Sequence, residues 1–386
     1  MKELKTILKL ETPDILINQL KEAEYSFAVW KKPDEDEIHT FISLRESKQI
    51  DSPRLNDLDT GFLFNTYSDN HPIRPFYINA DLIIKSNEIS IAPGVSDSQI
   101  DEFKERIKST KNDRPNKIIE SNDASNRFES SVSKALTEIE NGTFEKVVLS
   151  RYRDATLPES FSIWSFFQTI CDKYVNAFCS IAHIPGKGIW IGATPELLIS
   201  NNQDQFKTVS LAGTKSLSNG QPLNEIAWTQ KEIEEQAMVS RYVINCFKKI
   251  RLREFHEHGP KTIKAGNLAH LKTEFIVNYN EVNFEELADQ MLELLHPTSA
   301  VCGMPIDQTK PWIEKEEQYD REFYSGFLGP VNVDNSSDLY VNLRCMKVSD
   351  GMVRFFAGAG ITEDSDPHKE YEETEMKIDV LKSNLH

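Results

Sequence analysis

The chain has 386 residues, 61 acidic against 44 basic side chains (formal net charge -17) and 39% apolar residues, 21 of them Phe. That is enough for a substantial core in one large domain or two modest ones, while the acidic balance and the lack of a basic run exclude a nucleic-acid backbone as partner. No stretch approaches the roughly 20 apolar residues of a membrane span, and no apolar signal region opens the chain, so a soluble cytoplasmic protein is expected.

In chain order, residues 1–24 read as an amphipathic helix, followed by a strand over 26–31 and a charged turn over 33–37. Strands are expected over 62–67 and 75–85, with Asn70, His71 and Pro72 marking the bend between them, and a short helix over 96–107. The polar stretch 109–126 reads as a mobile linker. It separates an N-terminal part, 1–108, from a larger part, 127–386.

A helix over 127–140 closed by Asn141-Gly142 leads into a strand over 145–153. Alternation puts Lys146, Val148 and Ser150 on one side of that strand and Val147, Leu149 and Arg151 on the other. A helix near 162–174 and strands over 177–183 and 188–192 follow. The kink Gly192-Ala193-Thr194-Pro195 then delivers Glu196 at the head of an apolar run, for which an edge-strand position is the plain explanation. Leu211-Ala212-Gly213-Thr214 reads as a turn whose glycine lets backbone approach a ligand.

A long helix is expected over 224–254. Its apolar stripe of Val239, Tyr242, Cys246 and Ile250 projects back through Glu235 and Glu232. His270 and His296 stand among apolar neighbours, where a hydrogen-bonded core residue is the commoner role. A strand over 339–348 forms a hairpin with 352–356 through Ser349-Asp350-Gly351. Strict alternation would set Leu339, Val341, Leu343 and Cys345 on one face and Tyr340, Asn342, Arg344 and Met346 on the other, leaving Arg344 as a surface residue or a carboxylate clamp. The chain then runs through Gly358-Ala359-Gly360 and an acidic loop to Asp366-Pro367, a well-marked helix start. Glu370, Glu373 and Lys377 share one face of that helix, and the stripe continues to Val380 and Leu381.

A solvated face explains one acidic stripe. Two on separate helices, both running into core positions, call for a common partner, because buried carboxylates are costly alone. Oxygen donors without clustered His or Cys suit a hard cation, Mg²⁺ being the simplest choice. The five cysteines, Cys171, Cys179, Cys246, Cys302 and Cys345, form no CxxC pair, so neither a zinc site nor a disulfide framework is expected. Arg344, Lys377 and the Gly358-Ala359-Gly360 backbone would supply positive groups for an anionic substrate. Lys146 and Glu196 would form a separated base and acid, although a lysine base needs a pKa lowered from its free value of ~10.4. No nucleophile elbow, Walker loop or dinucleotide fingerprint is present.

These segments resemble the chorismate-utilising enzymes, a family that includes isochorismate synthases, salicylate synthases and the first components of anthranilate and aminodeoxychorismate synthases. The motifs KVVLSR, GATPELL, LAGT, KEIEEQ, HLKT, LHPT, YSGFLGP, RCMKV, AGAGI and EYEETEMK occur in family order over about 127–381. The resemblance implies an α+β fold of α/β-complex type, with large antiparallel sheets packed together, helices outside and the site in a cleft between halves. It also implies that Glu235 and Glu373 ligate Mg²⁺ while Glu232 and Glu370 hold its waters. Arg344, Tyr324, Lys377 and the backbone of Gly213 and Gly358 would bind the two substrate carboxylates. Lys146 would activate water, Glu196 would protonate the departing C4 hydroxyl, and His270 would lie near the ring. Gln236 departs from the family, many of whose members carry His there.

Within the family, Lys146 favours water over ammonia as nucleophile. Ala300, where salicylate synthases tend to carry Thr, favours the isochorismate-forming branch. No tryptophan-binding segment is found near the N-terminus. The resemblance therefore implies Mg²⁺-dependent isomerisation of chorismate, with no obligatory glutaminase subunit; charge and hydropathy leave no nucleic-acid or membrane partner expected, and a monomer is the default expectation. A non-catalytic chorismate or metal binder would have no need of Lys146 and Glu196.

Overall fold

Five consecutive buried residues make up the first strand, β1 (Phe27–Lys31), as in a strand covered on both faces. Phe27 and Val29 pack beneath helices, while Ala28 and Trp30 enter an aromatic layer on the other side. The computed structural model describes residues 13–67, 73–86, 88–110, 125–217, 221–265, 268–349 and 351–385.

β1 belongs to a ten-stranded sheet with the spatial order β14 (Gly303–Met304), β7 (Lys146–Thr156), β18 (Met352–Ile361), β17 (Cys345–Ser349), β9 (Gly188–Thr194), β8 (Phe178–Ile184), β1, β2 (Ile38–Ile42), β5 (Leu82–Lys85) and β6 (Glu88–Ile91). An eight-stranded sheet runs β12 (His256–Ala265), β13 (Leu268–Asn278), β11 (Gln205–Ser216), β10 (Leu197–Asn202), β16 (Ser336–Val341), β15 (Phe327–Val331), β3 (Gly61–Asn65) and β4 (Phe76–Asn79). The pairings within both sheets are antiparallel.

Side chains from both sheets interleave between them. Phe64 stacks on Phe323 at 3.7 Å between centroids and Trp190 on Phe356 at 5.2 Å, burying large apolar area in defined geometry. Helices α1 (Pro13–Glu22), α2 (Asp97–Ser109) and α4 (Ile163–Lys173) cover the outer face of the larger sheet. α5 (Gln230–Lys249) and α6 (Leu287–Leu295) cover the smaller one. α3 (Ser125–Glu140) and α7 (Ile306–Glu317) pack over the outward residues of β7 and β18. The last helix, α8 (Pro367–Lys382), lies along β18 and ends in the first core with Ile378 and Leu381. This is the expected α+β arrangement of packed antiparallel sheets with helices outside. Strands β1 to β6 from the N-terminal third extend both sheets.

Several local expectations change. The bend at 70–72, the first half of the 1–24 helix and most of the 109–126 linker lie outside the described residues. The expected strand over 75–85 is two strands in different sheets, β4 and β5. The chain changes layer at Asp81, whose buried carboxylate accepts the Leu44 amide at 2.8 Å and pairs with Arg45. The strand expected over 339–348 divides in the same way. β16 pairs in the smaller sheet and β17 in the larger, so the alternation assumed across Asn342–Arg344 does not hold. The helix expected over 224–254 starts later, at a Thr229 capping box, and ends at Lys249.

Candidate active site

β7 keeps the expected alternation. Val147 and Leu149 pack under α3 and α7, and Arg151 donates to Thr374 Oγ1 of α8 at 2.7 Å. Lys146 therefore points inward, 0% exposed, and its Nζ donates to Glu235 Oε1 at 2.9 Å. β18 runs alongside with Gly358 opposite Ser150 and Gly360 opposite Val148. Gly360 has no room for a side chain, since a Cβ would lie 2.6 Å from Glu235 Oε1 and 3.0 Å from Lys146 Cε. Gly360→Ala is expected to push this pair apart and lower kcat on the order of 10²-fold, as misplacement by about 1 Å can, with the fold retained by circular dichroism. An unchanged kcat would show that the pair's position is immaterial.

Glu235 also accepts the Gly213 amide at 3.2 Å through Oε2. Burial raises its pKa, but Lys146, Lys377 and Lys231 outweigh that and hold the carboxyl below its usual range. Gly213 is not in a turn. It forms a bulge inside β11 with φ +69°, where the register against β13 shifts. The bulge turns its amide to Glu235 and its carbonyl to His270, whose Nδ1–H donates to that oxygen at 2.6 Å. His270 Nε2 is then an acceptor, and Arg344 Nη2 donates to it at 2.9 Å. Burial, then the guanidinium, push the imidazole down to about 3, so His270 is neutral. Burial lowers Arg344 to about 10, which leaves it charged at neutral pH. Arg344 sits at φ +48° where the chain crosses between sheets. It is neither on the surface nor on a regular strand face.

Glu196 is not on an edge strand either. It precedes β10, which lies between β11 and β16, and is 5% exposed. Burial pushes its carboxyl up to about 7 against the opposing pull of Lys146, Lys377 and Arg344. Lys146 comes from the larger sheet and Glu196 from the smaller, so the two reach the cleft from opposite sides.

On α8, the Asp366 side chain accepts the Lys369 amide at 3.0 Å, so the helix starts as its sequence predicts. Lys377 Nζ donates to the Gly358 carbonyl at 2.9 Å and pairs with Glu373 at 2.7 Å. Ala300 lines the cleft, as does Tyr324, stacked on Phe356 at 5.5 Å.

Ten of the thirteen residues expected from sequence line this single cleft, and Lys146 joins them through Glu235. Glu232 and Glu370 do not line it. Glu232 closes the α5 capping box, accepting the Thr229 amide at 2.7 Å, and the buried Glu370 pairs with Lys231. Among the described residues, no three His, Cys, Asp or Glu side chains stand close enough to hold a metal together. Glu235, Glu373 and Glu370 are each tied to a lysine instead.

Three features escaped the sequence reading. Gly360 was legible only as part of a glycine pair. Lys231 adjoins Glu232 in KEIEEQ but lies off the acidic stripe. The third is the buried Glu317–Arg321 pair at i,i+4 spacing. Where β14 stops pairing with β7, Arg321 Nη2 donates to the Val148 carbonyl at 2.8 Å and Glu317 Oε1 accepts the Ser150 amide at 2.6 Å. These side chains replace the missing neighbour strand and satisfy buried backbone groups beside Lys146.

A two-sheet α+β protein whose inter-sheet cleft opposes a buried ammonium–carboxylate pair to a buried acid, with a guanidinium and a second ammonium nearby, is built to process a small anion. The chain belongs to the chorismate binding enzyme family, whose model matches residues 76–386. It is 29% identical over 262 residues to the isochorismate synthase EntC of Escherichia coli (strain K12), covering 66% of this chain and 66% of that protein. Its fold is similar to that of MenF, the menaquinone-specific isochorismate synthase of Escherichia coli (TM-score 0.76, 20% identity, 95% of this chain and 91% of that one). It is also similar to anthranilate synthase component I of Streptococcus pneumoniae (TM-score 0.62, 17% identity, 92% and 89%).

Proposed function

We propose that this chain is an isochorismate synthase, isomerising chorismate for menaquinone or siderophore biosynthesis. The observation that carries the reading is one cleft with Glu196 on its wall and Lys146, from the other sheet, behind the cleft-lining Glu235, the Glu196 carboxyl being pushed up to about 7 by burial and so still able to donate a proton near neutrality. Water adds to C2 as Lys146 removes its proton. The ring double bonds shift, the C4–O bond breaks, and Glu196 gives the departing oxygen a proton, so the atoms of substrate and product balance.

Arg344 and Lys377 bring two positive charges to a substrate with two carboxylates, and the Gly213 and Gly358 backbones border the same space. Neutral His270 fixes the Arg344 guanidinium without adding charge of its own. Lys146 reaches the reaction from beside Glu235, to which its Nζ donates at 2.9 Å.

The donor set fits Mg²⁺ in its chemistry: carboxylate oxygens only, with Glu235 and Glu373 both on the cleft surface. Glu235 and Glu373 would hold the ion, with Glu232 and Glu370 in support. Bound there, Mg²⁺ supplies a counter-charge for the ring carboxylate. Glu373→Gln should raise the Mg²⁺ concentration needed for half-maximal activity by about 10-fold or more. An unchanged requirement removes Glu373 from the ligand set.

No helix among the described residues is long and apolar enough to cross a membrane. Action as a cytoplasmic monomer without a glutaminase subunit completes the proposal. The deciding experiment is incubation of the purified protein with chorismate and Mg²⁺. Isochorismate as sole product supports the reading. Salicylate with pyruvate, or an aminated product when ammonia is supplied, reassigns the chain within its family.

A further inference from the structure

We infer that the Lys231 ammonium is a built-in competitor for the divalent cation, neutralising Glu370 until the ion displaces it. This rests on the Mg²⁺ reading above and adds to it a residue that the motifs did not assign.

Lys231 is the second residue of α5, in a first turn where the helix dipole disfavours a cation. Acidic neighbours hold it there. Its Nζ pairs with Glu370, and it lies in the field of Glu373 and Glu235 as well. Glu370 is 1% exposed, and the ionised form of a carboxylate so buried is costly without a positive partner. Lys231 is that partner in the structure.

The other two lysines of the group face the cleft or reach it through Glu235. Lys231 instead borders a second hollow. Glu145, Glu234, Glu363 and Asp364 line that hollow. A displaced ammonium with a 28% exposed side chain can swing into it and remain among carboxylates. The exchange keeps charge compensated at both ends: the ion takes over Glu370 as the ammonium moves to the acidic hollow.

Titration calorimetry of Mg²⁺ into the substrate-free protein tests this directly. Lys231→Met and Lys231→Gln should each bind Mg²⁺ about tenfold or more tighter than wild type, since the ion no longer has to displace an ammonium from a buried carboxylate. Both should also gain more in Tm on adding Mg²⁺, whereas Lys231→Arg, which keeps the charge, should bind no tighter than wild type. Wild-type binding with unchanged or weaker binding in the Met and Gln variants overturns the exchange and leaves the Mg²⁺ reading standing. Absence of Mg²⁺ uptake by all forms overturns both. Variants that fold neither with nor without Mg²⁺ also overturn it, because the ion is then unable to replace the ammonium on Glu370.

Discussion

Lys146→Ala is expected to lower kcat for chorismate by about 10²- to 10⁴-fold, the usual contribution of a positioned general base, while KM changes little. The separation follows from the geometry. The groups proposed to attract the substrate carboxylates, Arg344 and Lys377, are held by His270, Gly358 and Glu373, and Lys146 makes none of those contacts. Removing Lys146 also leaves Glu235 without its 2.9 Å partner, so the variant should lose Tm and recover part of it with Mg²⁺. Steady-state kinetics by product chromatography separates the outcomes. A raised KM with kcat intact would make Lys146 a substrate anchor, and normal turnover would remove it from the chemistry.

Glu196→Gln is expected to cost a comparable ~10²- to 10⁴-fold in kcat, together with a change in pH dependence. A general acid must be protonated when it acts. With its carboxyl at about 7, the protonated fraction is nearly complete below that value and falls about tenfold per pH unit above it. Wild-type kcat should therefore decline on the alkaline side of neutrality, and the residual activity of the Gln variant should lack that decline. The variant should fold as well as wild type, because burial already disfavours the ionised carboxylate and Gln preserves its shape. If the alkaline limb persists in Glu196→Gln, another group sets it and the acid assignment fails.

Local signals proved dependable wherever short-range geometry decides. The Asp366-Pro367 cap starts α8, and the period of two in β7 aims Lys146 and Val148 inward. Helical spacing sets Glu235 and Glu373 on the cleft walls. These depend on bonds within a turn or on successive Cβ directions, which neighbouring residues fix by themselves.

Which sheet a strand joins depends on partners far along the chain, and alternation carries no mark of a change of layer. That is why 75–85 and 339–348 each looked like one strand while β4 and β16 pair in the smaller sheet and β5 and β17 in the larger. The same crossing puts Arg344 at positive φ inside the protein and brings its guanidinium to His270. Glu196 looked like an edge residue because its own neighbours say nothing of β11 and β16 on either side.

The sequence by itself determined the acidic stripes, the inward lysine and the ordered motifs of the family. Helix spacing already put Lys377 within reach of Glu373 at i,i+4. Only the tertiary structure decided what neutralises Glu235 and Glu370: Lys146 from a strand and Lys231 from another helix take one each, because such a charge is compensated by whatever the fold brings within a few ångströms of it, and no local pattern encodes that distance.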